Sequence, residues 1–142
     1  MSEIYKGSCL CGAVQYVYRP SREPIATVVC HCLDCQRYTG TAFGTYILIP
    51  SDDFSQTGEV RSFETEVAPG RINQRNFCVT CGSHMAEYGP AFPGITILPV
   101  GTLDDASWIK PAAQCFAGRT QPWAYLNDDI RKFDALPPIV ER

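Results

Sequence analysis

The sequence predicts a mostly β domain, and three observations carry that expectation. Short runs rich in β-branched and aromatic residues recur at roughly 8–12-residue spacing, as they do in sandwiches and barrel-like domains. Proline- and glycine-bearing turns separate them: Thr57-Gly58, Ala68-Pro69-Gly70, Gly89-Pro90 and Pro93-Gly94. No long segment shows the 3.6-residue apolar period of an amphipathic helix.

Taken in order, Ala13–Tyr18 is β-rich and partly alternating, which predicts a strand. Two prolines make Arg19–Pro24 a loop. Ile25–Val29 is the next strand, and it leads straight into Cys30-His31-Cys32-Leu33-Asp34-Cys35. Leu33–Tyr38 reads as a short helical turn with Gly40 as its stop. Thr41–Ile49 is the longest apolar, β-branched run and ends at Pro50. Val60–Glu64, Arg71–Phe77, His84–Tyr88 and Ile95–Val100 are further strands, with Ala112–Phe116 and Ile130–Phe133 as weaker candidates. Pro137-Pro138 marks a tail. With 142 residues and neither repeat nor linker, one domain (residues 1–142, core about 4–134) is expected. A chain of this size buries roughly two-thirds of its unfolded surface, enough for a core of its own.

Composition narrows the function. The formal charge is −3, and seven ionised thiols around two zinc ions would add about three more negative charges. Nucleic-acid binders show the opposite, a basic stripe, so no nucleic-acid partner is expected. No apolar run is long enough to span a membrane, and Met1–Gly7 lacks an apolar signal core. A cytoplasmic, reducing setting is therefore expected, where eight cysteines serve metal binding or catalysis better than disulfides.

Seven of the eight cysteines fall into three groups: Cys9/Cys11, Cys30/Cys32/Cys35 and Cys78/Cys81. Cys78-Val79-Thr80-Cys81-Gly82 has the form of a zinc knuckle, with a glycine that permits a tight turn. Cys9 and Cys11 stand two apart, so an extended chain points both to one face. These two pairs supply four thiolates, a closed tetrahedral structural site. Cys30, Cys32 and Cys35 are then a second site with three protein ligands, one short of closure. Two other arrangements remain open. Cys30 and Cys35 can pair with the knuckle and leave Cys9 and Cys11 idle, or the second site can be closed by His31, His84 or Cys115. On a strand, His31 would face away from Cys30 and Cys32. An isolated cysteine such as Cys115 is ordinarily a buried apolar thiol.

Three thiolates already donate charge to a metal, so water bound there is less acidic than in a three-histidine site. A soft, thiolate-rich zinc should instead take a fourth thiolate and activate a small thiol as a nucleophile. Arg37, and Arg71 with Arg75 on one strand face, are candidate cations for an acidic substrate; the alternative is solvation or pairing with carboxylates. His31 can hydrogen-bond a thiolate or carry a proton. Asp34 is either an orienting group or a turn former, and Trp108 and Trp123 are either pocket walls or core.

Gly7-Ser8-Cys9-Leu10-Cys11-Gly12-Ala13-Val14, Cys30-His31-Cys32-x-x-Cys35 with Arg37 and Gly40, and Phe77-Cys78-x-x-Cys81-Gly82-Ser83 together resemble the glutathione-dependent formaldehyde-activating enzyme family. That family includes the centromere protein V domain. Val100–Asp104 and Trp123 are similar to its later segments. The resemblance implies a β-tent fold, short antiparallel sheets meeting at a structural zinc. It assigns Cys9, Cys11, Cys78 and Cys81 to that zinc and Cys30, Cys32 and Cys35 to a catalytic one. It also implies a carbon–sulfur lyase joining a thiol, glutathione in the named reaction, to formaldehyde or another aldehyde. The chain departs from the family's habit at Tyr38-Thr39-Gly40-Thr41, where Ser-Gly-Ser is frequent, and at Gln114-Cys115-Phe116, where His-Ile-aromatic is common. Two rival functions are a non-catalytic interaction module with two structural zincs, and a thiol redox enzyme using Cys115.

Overall fold

The computed structural model describes residues 3–89, 92–127 and 129–138. Among the described residues, ten strands form three short sheets, with one short α-helix and three 3-10 turns, and no barrel closes. The first sheet holds β1 (Tyr5–Ser8), β2 (Gln15–Tyr18) and β5 (Phe54–Thr57) in the order β1-β2-β5, all antiparallel. The second is five-stranded: β10 (Arg131–Lys132), β9 (Ala113–Cys115), β3 (Ala26–Cys30), β4 (Gly44–Pro50) and β8 (Ile95–Pro99). The third is the ribbon β6 (Val60–Ala68) and β7 (Arg71–Cys78).

The expectation of a sandwich or barrel gives way to this arrangement of short, open sheets. Purely antiparallel pairing is also too simple: β3 and β9 run parallel, as do β9 and β10. The chain returns to β3 through the long segment after β8, which is what a parallel neighbour requires. β1 and β5 are strands the sequence does not announce, since Lys6-Gly7-Ser8 and Ser55-Gln56 are weak β formers. His84–Tyr88 is not a strand. It makes single bridges to Phe77, Gln74 and Ile97, and so stitches the ribbon to the second sheet. The Pro137 end of the expected tail is buried, and Phe116 and Ala117 donate N–H bonds to the carbonyls of Ala135 and Phe133.

Two apolar clusters hold the sheets. Val14, Tyr16, Tyr18, Ile47, Ile49, Met85 and Leu98 form one, with Cys9 and Cys78 at its edge. Val28, Tyr46, Leu48, Ile97 and Ala113 form the other, together with Cys30, Cys35 and Cys115. β4 serves both: Ile47 and Ile49 face one cluster, Tyr46 and Leu48 the other, as a period of two dictates. Helix α1 (Leu33–Thr39) starts at Cys32, whose sulfur accepts from the Cys35 N–H at 3.3 Å, and ends at Gly40 with φ 71°.

Gly7 sits where β1 meets two neighbours. A Cβ there would lie 2.2 Å from the Tyr16 hydroxyl and 2.4 Å from the Thr102 carbonyl. Only hydrogen fits, and the close approach sets the height of the chain entering Cys9. Gly7→Ala is therefore expected to destabilise the protein by about 1–3 kcal/mol, the usual cost of overpacking, read as a lower urea midpoint with unchanged slope.

Candidate metal centres and thiol cavity

The cysteines gather as two groups. Cys9 and Cys11 leave the end of β1, Cys78 ends β7 and Cys81 closes the turn after it; their sulfurs lie within 4.8 Å of one another. All are free thiols. The Cys9–Cys11 and Cys11–Cys78 sulfur separations are 3.6 and 3.8 Å. A tetrahedron built on metal–sulfur bonds of about 2.3 Å has edges of about 3.8 Å, so the donor set fits zinc. Backbone N–H groups of Val14 and Thr80 point at the Cys9 and Cys78 sulfurs at 3.2 and 3.4 Å. The Ser83 hydroxyl and N–H hold Cys81 down to about 5.

Cys30, Cys32 and Cys35 form the second group, again with sulfurs within 4.8 Å of one another. Cys30 ends β3, Cys32 caps α1 and Cys35 is in its first turn. Among the described residues no histidine, cysteine or carboxylate makes a fourth member. The thiols of Cys30 and Cys35, then the Cys35 N–H and the Arg75 charge, hold Cys32 down to about 2. Cys30 is pushed up by its bond to Cys32. Three sulfurs this close, with the shift at Cys32 running toward the thiolate, make a donor set that favours a cation among them.

These thiols line a cavity of about 460 Å³. Val28, Leu48, Ile97, Phe92 and Phe116 give it apolar walls, and the tip of the β6–β7 ribbon, Val67, Ala68 and Arg71, forms a rim. Arg71, Asn73 and Arg75 all face it, while Ile72 and Gln74 face the opposite side of β7. A larger depression of about 630 Å³, lined by Tyr38, Phe43, His84 and Thr102, holds none of the cysteines.

One side-chain donor meets Cys35. The Tyr46 hydroxyl reaches its sulfur at 3.4 Å, and burial keeps that hydroxyl protonated. Tyr46 needs Gly44 for this: a Cβ on Gly44, opposite Cys30 in the ladder, would lie 2.3 Å from the tyrosine oxygen. Arg75 lines the same cavity as Cys35. It is 3% exposed, bonds the Glu87 carboxylate at 3.1 Å and lies over the Tyr38 ring. His84 Nε2 approaches the same Glu87 oxygen at 2.6 Å.

The remaining candidates divide. Asp34 lines the cavity from α1. Arg37 is exposed on the helix and does not line it. His31 is fully buried and faces away; its Nε2 bonds Gln114 Oε1 at 2.8 Å, its Nδ1 has no partner, and its ring meets Phe43 edge-on. Neither ring nitrogen of His31 bonds a cysteine sulfur. Gln114, at the departure from the family habit, is its buried partner and also donates to the Ile130 carbonyl. His84 stands with Glu87, outside the three-thiol group. Trp108 stacks on Tyr5 beside the first core cluster and Trp123 is exposed; neither lines the cavity. Cys115 is buried, in register with Cys30, and lines the cavity without joining the donor set. Burial pushes its thiol up to about 12. Glu87 and Tyr46 are the site residues that sequence spacing does not single out.

A mostly β scaffold with two sets of converging thiols, one beside a cavity, defines a thiolate metal-site protein. The family model for glutathione-dependent formaldehyde-activating enzymes matches residues 4–119, and the chain belongs to that family. A crystal structure of a Rhodobacter sphaeroides protein shares the fold at 19% identity, with a TM-score of 0.56, covering 75% of this chain and 91% of that one. No curated protein matches. No helix of the described residues is long and apolar enough to cross a membrane.

The Arg75–Glu87 pair is buried, so breaking it leaves one charge uncompensated. Glu87→Gln is expected to cost about 3–5 kcal/mol, whereas replacing both partners with apolar residues costs less. Urea unfolding of the single and double variants distinguishes the two.

Proposed function

We propose that the chain is a zinc-dependent carbon–sulfur lyase that joins a small thiol, glutathione being the family's, to formaldehyde or another aldehyde. The observation that carries this reading is a three-thiol donor set at the wall of a cavity, with no fourth donor beside it among the described residues. A closed structural site has four ligands; a site with three serves chemistry.

In this reading Cys9, Cys11, Cys78 and Cys81 hold a structural zinc, and Cys30, Cys32 and Cys35 hold a catalytic one. A zinc ion there would supply stabilisation of an incoming thiolate at neutral pH. The rest is work for the chain. Tyr46 donates to Cys35 and fixes its sulfur while spreading its charge, and the Arg75 charge at the cavity wall favours the thiolate at Cys32. Apolar walls exclude water from the aldehyde carbon, and the cavity holds sulfur and carbon together, so that proximity provides much of the rate. In the addition, the thiol gives up its proton, the sulfur lone pair forms the C–S bond, the carbonyl π pair moves to oxygen, and that oxygen takes up a proton in place of the one the thiol released. No redox change occurs. A small-molecule substrate and a reducing, cytoplasmic setting agree with free thiols throughout.

Cys115 lies close enough to the donor set to keep the redox alternative specific. Cys115→Ser is expected to leave the rate of thiol–formaldehyde adduct exchange, measured by NMR, within about twofold of the parent; Cys32→Ser should remove the acceleration over the uncatalysed reaction. Loss of activity in Cys115→Ser with retention in Cys32→Ser would reverse the assignment. In cobalt-substituted protein, glutathione should shift the sulfur-to-metal charge-transfer bands. Bands indifferent to every thiol would favour the interaction-module reading.

A further inference from the structure

We propose that Arg71, with Asn73 beside it, is the subsite for a carboxylate carried by the thiol substrate at a distance from its sulfur. This rests on the cavity being the thiol site. Two arginines face that cavity, and they differ in what is left for a ligand. Arg75 is buried and committed to Glu87 and Thr65. Arg71 is exposed at the rim, forms no ion pair among the described residues, and lies with its guanidinium 5.5 Å from the Phe92 ring centre. The ring supports the flat cation on one face and leaves its N–H edges for a bidentate acceptor. Asn73, one step along the same strand face, adds an amide.

The charge pattern along the cavity gives the direction. Its thiol end carries Asp34, three cysteine sulfurs and the Arg75–Glu87 pair, whose charges offset each other, and so offers no free cation to a second anion. The opposite end offers Val67 and Ala68 of the ribbon tip and Leu136 of the C-terminal segment around a single free cation, Arg71, among the described lining residues. Arg71 stands four positions from Arg75, about 13 Å along an extended strand. A ligand with sulfur at the cysteines and carboxylate at Arg71 must therefore separate the two groups by several bonds. Peptide-like acidic thiols do so, and simple mercaptoalcohols have no carboxylate to place.

S-methylglutathione and its diethyl ester test this without recourse to metal–thiol bonding. The first keeps both carboxylates and has no free thiol; the second has lost the carboxylate charges. NMR titration of the zinc-loaded protein should give S-methylglutathione about fivefold tighter binding than the diester, the scale of a partly exposed ion pair. Arg71→Met should bring S-methylglutathione to the diester's affinity and leave the diester unchanged, while Arg37→Met changes neither. Equal weakening of both ligands by Arg71→Met, no weakening of either, or no binding of S-methylglutathione overturns the subsite. Failure of the thiol reading appears separately, as cobalt bands indifferent to glutathione while the Arg71 dependence persists.

Discussion

The convergence of Cys9 and Cys11 with Cys78 and Cys81 is the constraint on which the rest of this structure depends. It joins the end of β1 to the end of β7, positions 67 residues apart at the Cys11–Cys78 contact. β7 belongs to a two-stranded ribbon, which on its own is marginal in water. Pinned at Cys78, the strand has a fixed rotation, and a period of two then turns Arg75, Asn73 and Arg71 towards the cavity. The Tyr38 hydroxyl donates to the Asn76 carbonyl at 3.0 Å and ties helix α1 to the same strand. In this way the four-thiol group, though far from the cavity rim, sets the geometry of the three-thiol group and its surroundings.

A second constraint is the buried Arg75–Glu87–His84 chain. Removing two full charges from water is costly, and mutual attraction repays it only when both are well bonded. Arg75 meets that condition through Glu87 and Thr65, with Tyr38 beneath it. We read the arrangement as positional. Apolar residues could fill the space with equal stability, but they would remove the positive charge beside the three-thiol group. The single bridges of His84, Glu87 and Tyr88 to the ribbon and to β8 hold this chain in place.

Much of the grouping of the thiols is legible in the sequence because the spacings within each group are local. Spacings of two and three residues decide which sulfurs can meet, and the grouping of Cys9/Cys11 with Cys78/Cys81 followed from counting. The common face of Arg71 and Arg75 was equally legible, since alternation along a strand is a geometric rule. Which way that face points was not, because it depends on a contact between chain segments far apart. The same holds for His31, whose partner Gln114 is 83 residues away, and for Cys115, brought beside Cys30 by a parallel pairing that no local pattern announces. β1 was missed because Gly7 replaces a β former with a close approach to Tyr16 and Thr102. His84–Tyr88 looked like a strand because its residues serve two sheets in turn, one bridge at a time.

The proposed function stands on two metal centres of unequal character, one closed and one with three protein ligands. Native mass spectrometry of protein prepared without chelators counts them. Two zinc ions per chain are expected, and Cys32→Ser should lose one zinc while the other stays bound. A single zinc per chain in the parent protein, or a Cys32→Ser variant that retains both, would overturn the two-centre reading.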